Sequence, residues 1–317
     1  MVTGAGPVSG HGQLPPPGEP YVIAVMFPSR RVPSWFFGDG TLLFNQHRAA
    51  LPPLQVPIPA MVPLDDMLQG GIVRHSAGGA FGARVARSLG ARFGLEFTAD
   101  LHGNARRLTD TVRPAVELTR KSYSDALNAY FSRTSIATTE LAITEDVGSD
   151  LVLAGALNVT LTRRARLESY ATIGAGAVQA LGDAPSLTLT GHNRPTSGDQ
   201  VLLNETDKLT ITTDPRPGAA IVMGGGLLRP IGGRGGIRID GRVHFIQDRT
   251  VTHVAAAPSI ESDIPIAVVR AAVPTIVFSA LPIIQSSLSA PLADFETFTG
   301  SGTRTQFSLT AGYFFRF

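Results

Sequence analysis

Apolar and polar residues alternate with a period of two along much of this chain. In GIRIDGRVHF, Ile237, Ile239, Gly241, Val243 and Phe245 fall on one parity and Arg238, Asp240, Arg242 and His244 on the other. Successive side chains on a β-strand point to opposite faces, so such a strand has one apolar face and one that is almost wholly ionisable. FGLEFTADL repeats the pattern, setting Phe93, Leu95, Phe97, Ala99 and Leu101 against Glu96, Thr98 and Asp100. DLVLAGALNVTLT sets Leu151, Leu153, Gly155, Leu157, Val159 and Leu161 against smaller or polar residues. At the end of the chain Phe307, Leu309, Ala311, Tyr313, Phe315 and Phe317 share one parity, Gln306, Ser308, Thr310, Gly312 and Arg316 the other, and Phe314 breaks the rule.

The pattern predicts an all-β chain of eight antiparallel strands, at Trp35–Gln46, Gly79–Ser88, Ala91–Leu101, Asp150–Thr162, Leu167–Val178, Ala219–Arg229, Gly236–Gln247 and Thr305–Phe317. Strands of about 9 to 13 residues exceed the roughly 5 to 6 usual in soluble sheets and suit a tilted bilayer crossing. The connections are asymmetric: Ser88–Arg92, Thr162–Arg166 and Pro230–Gly235 are tight, while His47–Gly78, His102–Ser149, Gln179–Gly218 and Asp248–Arg304 are long. Short turns at one end and long loops at the other belong to outer-membrane barrels. The expected architecture is therefore an antiparallel up-and-down eight-stranded transmembrane β-barrel over residues 34–317, with long extracellular loops, following a flexible Gly/Pro-rich segment at residues 1–33. One loop is expected to contain a helix, at Thr111–Arg133, where Val116, Tyr123, Leu127, Tyr130 and Phe131 share a face and Pro114 falls in the first turn. Alternation alone suits a soluble β-sandwich as well.

Composition narrows the choice. A mean hydropathy of +0.14 with 16% charged residues is far from that of a helical membrane protein. Ile264–Ile284 is apolar over a bilayer-spanning length, but Pro265, Pro274, Pro282 and Arg270 oppose a helix there. That stretch reads as an extended hairpin or a flap on the rim, and as a candidate contact for a hydrophobic ligand at the outer loops. The absence of cysteine suits passage through an oxidising compartment. A net charge of +2 from dispersed residues gives no nucleic-acid stripe. The opening MVTGAGPVSGHGQLPPPGEP has neither the basic nor the apolar region of a secretory signal, so the barrel reading expects a leader removed from, or missing ahead of, this sequence.

FSLTAGYFFRF and the hairpins GGAFGARVARSLGARFGLEFTADL and AAIVMGGGLLRPIGGRGGIRIDGRV resemble the small eight-stranded bacterial outer-membrane barrels of the OmpA type, grouped as porin-family or outer-membrane β-barrel domains. The resemblance implies a bacterial outer-membrane location, membrane lipid around the barrel and a monomer. It also implies recognition by the barrel assembly machinery through the C-terminal strand, with Phe307, Leu309, Ala311, Tyr313, Phe315 and Phe317 as the signal.

The polar parity places Arg84, Glu96, Asp100, Glu168, Arg238, Asp240, Arg242, His244 and Arg316 in the lumen. Eight strands leave an interior that side chains just fill, so opposite charges are expected to pair and plug the tube. A gated polar pathway is the alternative. GAGAVQALG approaches a dinucleotide fingerprint but lacks its third glycine and its parallel crossover, and strand packing accounts for its glycines. The seven histidines lack metal-ligand spacing, and His244 points inward, away from a lipid substrate. No catalytic, cofactor or metal site is expected. The reading is a non-enzymatic structural anchor that presents large outer loops for recognition or envelope integrity. A narrow channel for small solutes or hydrophobic molecules, a lipid-modifying enzyme and a soluble sandwich are the alternatives.

Overall fold

The computed structural model describes residues 9–12, 20–24, 27–32, 34–37, 39–50, 57–68, 71–130, 135–164, 167–197, 199–201, 204–231, 234–261, 277–278 and 292–315. In chain order the elements are β1 (Ser9–Gly12), β2 (Pro20–Ala24), β3 (Phe27–Val32), α1 (Asp39–Ala50), α2 (Asp65–Leu68), β4 (Val73–His75), β5 (Ala80–Ser88), β6 (Phe93–His102), β7 (Arg106–Leu108) and α3 (Val112–Tyr130). There follow β8 (Ser135–Thr144), β9 (Ser149–Arg164), β10 (Leu167–Leu181), β11 (Ser186–Ser197), β12 (Gln200–Val201), β13 (Asn204–Arg216) and β14 (Gly218–Ile231). The chain continues through β15 (Gly235–Ala256), β16 (Ser259–Glu261), β17 (Val277–Phe278) and β18 (Leu292–Phe315).

Seven strands form a wall in the order β5-β6-β9-β10-β14-β15-β18, every neighbouring pair antiparallel. They correspond to seven of the eight strands expected from alternation. The three tight turns join β5 to β6, β9 to β10 and β14 to β15, all at the same end of the wall. The wall curls. Arg84 on β5 bonds to Asp240 on β15 and, at 3.1 Å, to Thr310 on β18; strands sit about 4.8 Å apart, so in a flat sheet these residues would be tens of ångströms from one another. The free edges of β5 and β18 are thus brought toward each other, and among the described residues no backbone ladder joins them.

β15 and β18, at 22 and 24 residues, outrun β5 and β6 at 9 and 10. Their far halves carry the sheet beyond the wall: β13 pairs with β15 from Leu209↔Ala256 to Arg216↔Arg249, β11 with β13, and β8 with β11. Packed on this extension, α1, α2 and α3 enclose an apolar core that includes Trp35, Phe36, Phe37, Phe44, Leu64, Val116, Tyr123, Leu127, Leu187, Leu189, Leu209 and Ile211. We refer to this unit as the outer lobe. The helix expected at Thr111–Arg133 is α3, with Val116, Tyr123 and Leu127 buried and Tyr130 packed against the core; Phe131 lies outside the described residues.

Two expectations are corrected. Trp35–Gln46 is not a wall strand: its second part is α1, and Trp35, Phe36 and Phe37 are core residues of the outer lobe. The helical spacing was present in the sequence. Thr41, Phe44, Asn45 and Arg48 lie on one 3-4-7 face, along which Thr41 and Phe44 are buried and Asn45 and Arg48 bond to the carbonyls of Met61 and Ile58. Gly40 seats the helix against Ser34, whose carbonyl oxygen would lie 1.9 Å from a Cβ at that position. Secondly, His102–Ser149 and Gln179–Gly218 are not plain loops, because they contribute β8, β11 and β13 to an ordered sheet. Of the apolar stretch Ile264–Ile284, only Val277–Phe278 is described, pairing in parallel with Arg31–Val32 of β3.

Candidate functional site: a polar inner face behind an apolar outer one

The wall has the polarity of a soluble protein turned inside out. Outward side chains are large, apolar and exposed: Phe81 at 71%, Val85 at 75%, Leu309 at 67% and Phe315 at 68%, with Leu95, Phe97, Ile173, Ile221, Ile239 and Phe307 also exposed. Inward side chains are buried and include the ionisable Glu96, Asp240, Arg242 and His244, all at 3% or less, beside a small apolar cluster of Val152, Val178, Ala220 and Ile246. Period-two alternation forces this division, and the tight turns hold every strand in the same register sense. Among the described residues no helix is long and apolar enough to cross a membrane.

Seven of the nine expected inner residues meet in or beside one network. The Glu96 carboxylate accepts from Arg238 Nη1 at 2.7 Å, from Arg242 Nη2 and from Asn158 Nδ2 at 2.9 Å. Asp240 accepts from Arg238 Nε at 2.7 Å, from Arg84 and from the Tyr170 hydroxyl, while the Arg238 guanidinium lies over the Tyr170 ring. Asp100 sits 3.9 Å from Arg84. His244 occupies the next row, its Nε2 3.3 Å from Ser308 Oγ and its ring edge-on to His102, which bonds to Gln306. Glu168 stands apart near the tight turns, paired with Arg163 at 3.1 Å. Arg316 lies outside the described residues. Of the terminal aromatic set, Phe307, Leu309, Ala311, Tyr313 and Phe315 face outward and exposed, Tyr313 and Phe315 stacking edge-on at 4.7 Å; Phe317 lies outside the described residues.

Toward the outer lobe the inner face carries a second cluster that alternation alone had not delimited. Asp150 accepts from Arg106 Nη2 at 2.8 Å, Arg304 Nη2 at 2.9 Å and Asn104 Nδ2 at 3.0 Å. Arg304 Nε lies 2.9 Å from Asp248 as an ion pair. His75 sits between the acids, 3.6 Å from Asp150 and 3.8 Å from Asp248. Burial first, and Arg304 second, push its pKa down to about 3, so the ring is neutral at physiological pH. A cleft at this level is lined by His75, Arg106, Asp150, Asp248 and Arg249 among others. Extending the polar parity of the last strand back past Thr305 would have reached Arg304, and extending that of β15 past Gln247 would have reached Asp248. Arg106 and His75 come from short strands with no readable alternation.

Chemically, the inner face offers paired charges. Each acid in the first cluster has at least one arginine within ion-pair reach, and among the described residues no group of three or more potential ligands could hold a metal. The Ser308–His244 contact has the composition of a nucleophile and base, yet both residues are buried on the inner face, with the wall between them and the apolar exterior. Comparison with known protein families, with characterised proteins and with solved structures returns no match for this chain.

Proposed function

We propose that the protein is an integral β-barrel of a bacterial outer membrane, a non-catalytic anchor whose wall crosses the bilayer and whose outer lobe is presented on the far side. One observation carries this reading: a wall apolar and exposed outside, ionisable and buried inside. In water that outer face would be a large aggregation-prone patch; in lipid it is the favoured surface. Tyr313 and Phe315, near the tight-turn end, suit a headgroup boundary, and the strand that holds them is the one to engage the barrel assembly machinery. Outer-membrane lipid is the expected surrounding, and the chain acts as a monomer.

A bilayer tolerates no open sheet edge, so the reading requires closure. Alternating directions make β5 and β18 run the same way. An antiparallel closure then takes one strand between them, making eight. β1 already lies antiparallel on β18, from Ser9↔Ser301 to Gly12↔Phe298, and marks the side from which that strand is added.

A narrow conduit is the second reading. It is favoured by Arg242 Nη1, His244 Nδ1 and Gln306 Oε1, buried inner-face atoms without protein hydrogen-bond partners. The test pairs two assays on protein refolded in detergent. The anchor reading expects faster gel migration of the unboiled than of the boiled sample, and silence in planar bilayers. Discrete conductance with retained heat-modifiability supports the conduit, and loss of both the mobility shift and the detergent requirement removes the membrane reading altogether.

A further inference from the structure

The outer lobe buries two carboxylates in an apolar core. Glu205 and Asp207 lie two residues apart on β13, on the face that continues through the buried Leu209 and Ile211. Asp207 is wholly enclosed and Glu205 is 6% exposed. Three of the four donors that reach them come from the segment entering α1: Ser34 Oγ and Trp35 N donate to Asp207 Oδ2 at 2.9 and 2.7 Å, and the Trp35 indole Nε1 donates to Glu205 Oε1 at 3.0 Å. The fourth, Asn193 Nδ2 on β11, donates to Glu205 Oε2 at 2.9 Å.

Among the described residues no cation pairs with either acid. β11 offers Asn193 and Gly191, and its His192 is turned to the Thr206 hydroxyl on the other face. α3 offers Tyr123, whose own ionisation is opposed by burial and then by both acids, and whose hydroxyl and Asp207 Oδ1 have no hydrogen-bond partner. Among the described residues burial is the largest influence on both carboxyls, and no arginine or lysine figures among the causes. Ser34–Phe37 is thus fastened to the lobe by two acids in a medium that resists their ionisation.

We propose that Glu205 and Asp207 form a proton-operated latch on Ser34–Phe37: protonated, they keep the aromatic triplet seated in the lobe, and ionised together they release it and loosen α1. The sign follows from the groups themselves. Burial pushes Glu205 up to about 7 and Asp207 up to about 8, outweighing the donors that pull the other way, and Glu205 adds to the rise at Asp207. Because both folded values stand above the ordinary carboxylate range, the stability they contribute is complete at acid pH and is lost as pH rises through about 7 to 8. Two like charges side by side in an apolar core are then left to four donors alone. On the proposed outer-membrane reading the lobe lies outside the cell and meets such pH changes directly, and release would bare Trp35, Phe36 and Phe37 as a contact surface.

Trp35 is the only tryptophan in the chain, so its emission reports the latch without labelling. In the detergent-refolded full chain the emission maximum should shift to the red, and acrylamide quenching should rise, with a midpoint between pH 7 and 8. The double variant Glu205→Gln/Asp207→Asn keeps the oxygen acceptors for Ser34 and Trp35 and removes the charge, so its emission should stay blue and flat across the same range. A wild-type signal that does not change over this interval overturns the proposal, as does a double variant that titrates like the wild type. Should the double variant fail to fold, the wild-type quenching titration decides by itself.

Discussion

Glu96 is the residue on which the inner face is most dependent. Its carboxylate, 3% exposed, answers both Arg238 and Arg242. Without it Arg238 keeps only Asp240 as an ion-pair partner and Arg242 only the longer 3.6 Å contact with Asp240, and breaking a buried pair costs up to about 3 to 5 kcal/mol. Glu96→Ala should therefore lower the urea midpoint of the refolded protein markedly. Glu168→Ala, whose partner Arg163 is an exposed side chain, should move it less. Equal effects would show that the network contributes nothing beyond surface charge. Residues of this cluster were legible because alternation fixes the face of each side chain: Arg84, Glu96, Asp240 and Arg242 need only strand parity to be brought to one face. Tyr170, Asn158 and Gln306, which complete the hydrogen bonds, carry no such signal, since an uncharged polar residue on a strand is unremarkable in sequence.

At the scale of elements, the wall strands were legible and the outer sheet was not. The wall strands are long and set off by tight turns, and their apolar faces keep parity for about ten residues. In β11 and β13 the apolar positions are few, such as Leu187, Leu189, Leu209 and Ile211, and in β8 they are interrupted by Thr138, Thr139 and Glu140. Threonine favours strands, and that was the cue available in SLTLT and KLTITT. α1 failed for the opposite reason: WFF and LLF are apolar enough for a strand, and only the spacing of Thr41, Phe44 and Arg48 distinguishes a helix. Glycines in β10 belong to this scale as well. A Cβ on Gly176 would lie 2.0 Å from the Leu153 carbonyl oxygen on β9, so that close approach of β9 and β10 depends on glycine. Gly176→Val should block refolding to the heat-modifiable form, whereas Gly155→Val, where a Cβ meets nothing within 4 Å, should leave it intact. Loss in both variants, or in neither, would contradict the register.

For the whole molecule, the proposed membrane wall and water-facing lobe would make opposite demands on apolar residues, and the two parts of this chain differ in what covers the sheet. In the lobe, apolar side chains meet one another beneath α1 and α3. Along the wall the large apolar side chains face outward, and charged and polar side chains with a few small apolar ones fill the enclosed side. The alternating pattern could not distinguish these arrangements, because period two reports that the faces differ and not which one meets water. The curled wall and its buried charges show which face is enclosed.

The central claim is that the outward face meets lipid. The most direct test places a tryptophan at Leu309, which is 67% exposed on that face, reconstitutes the protein in vesicles whose acyl chains carry bromine, and subtracts the signal of Trp35 in the parent. The account predicts strong quenching of the new tryptophan by bromine and little by aqueous acrylamide. Quenching by acrylamide alone, with bromine without effect, would place the face in water and contradict the account.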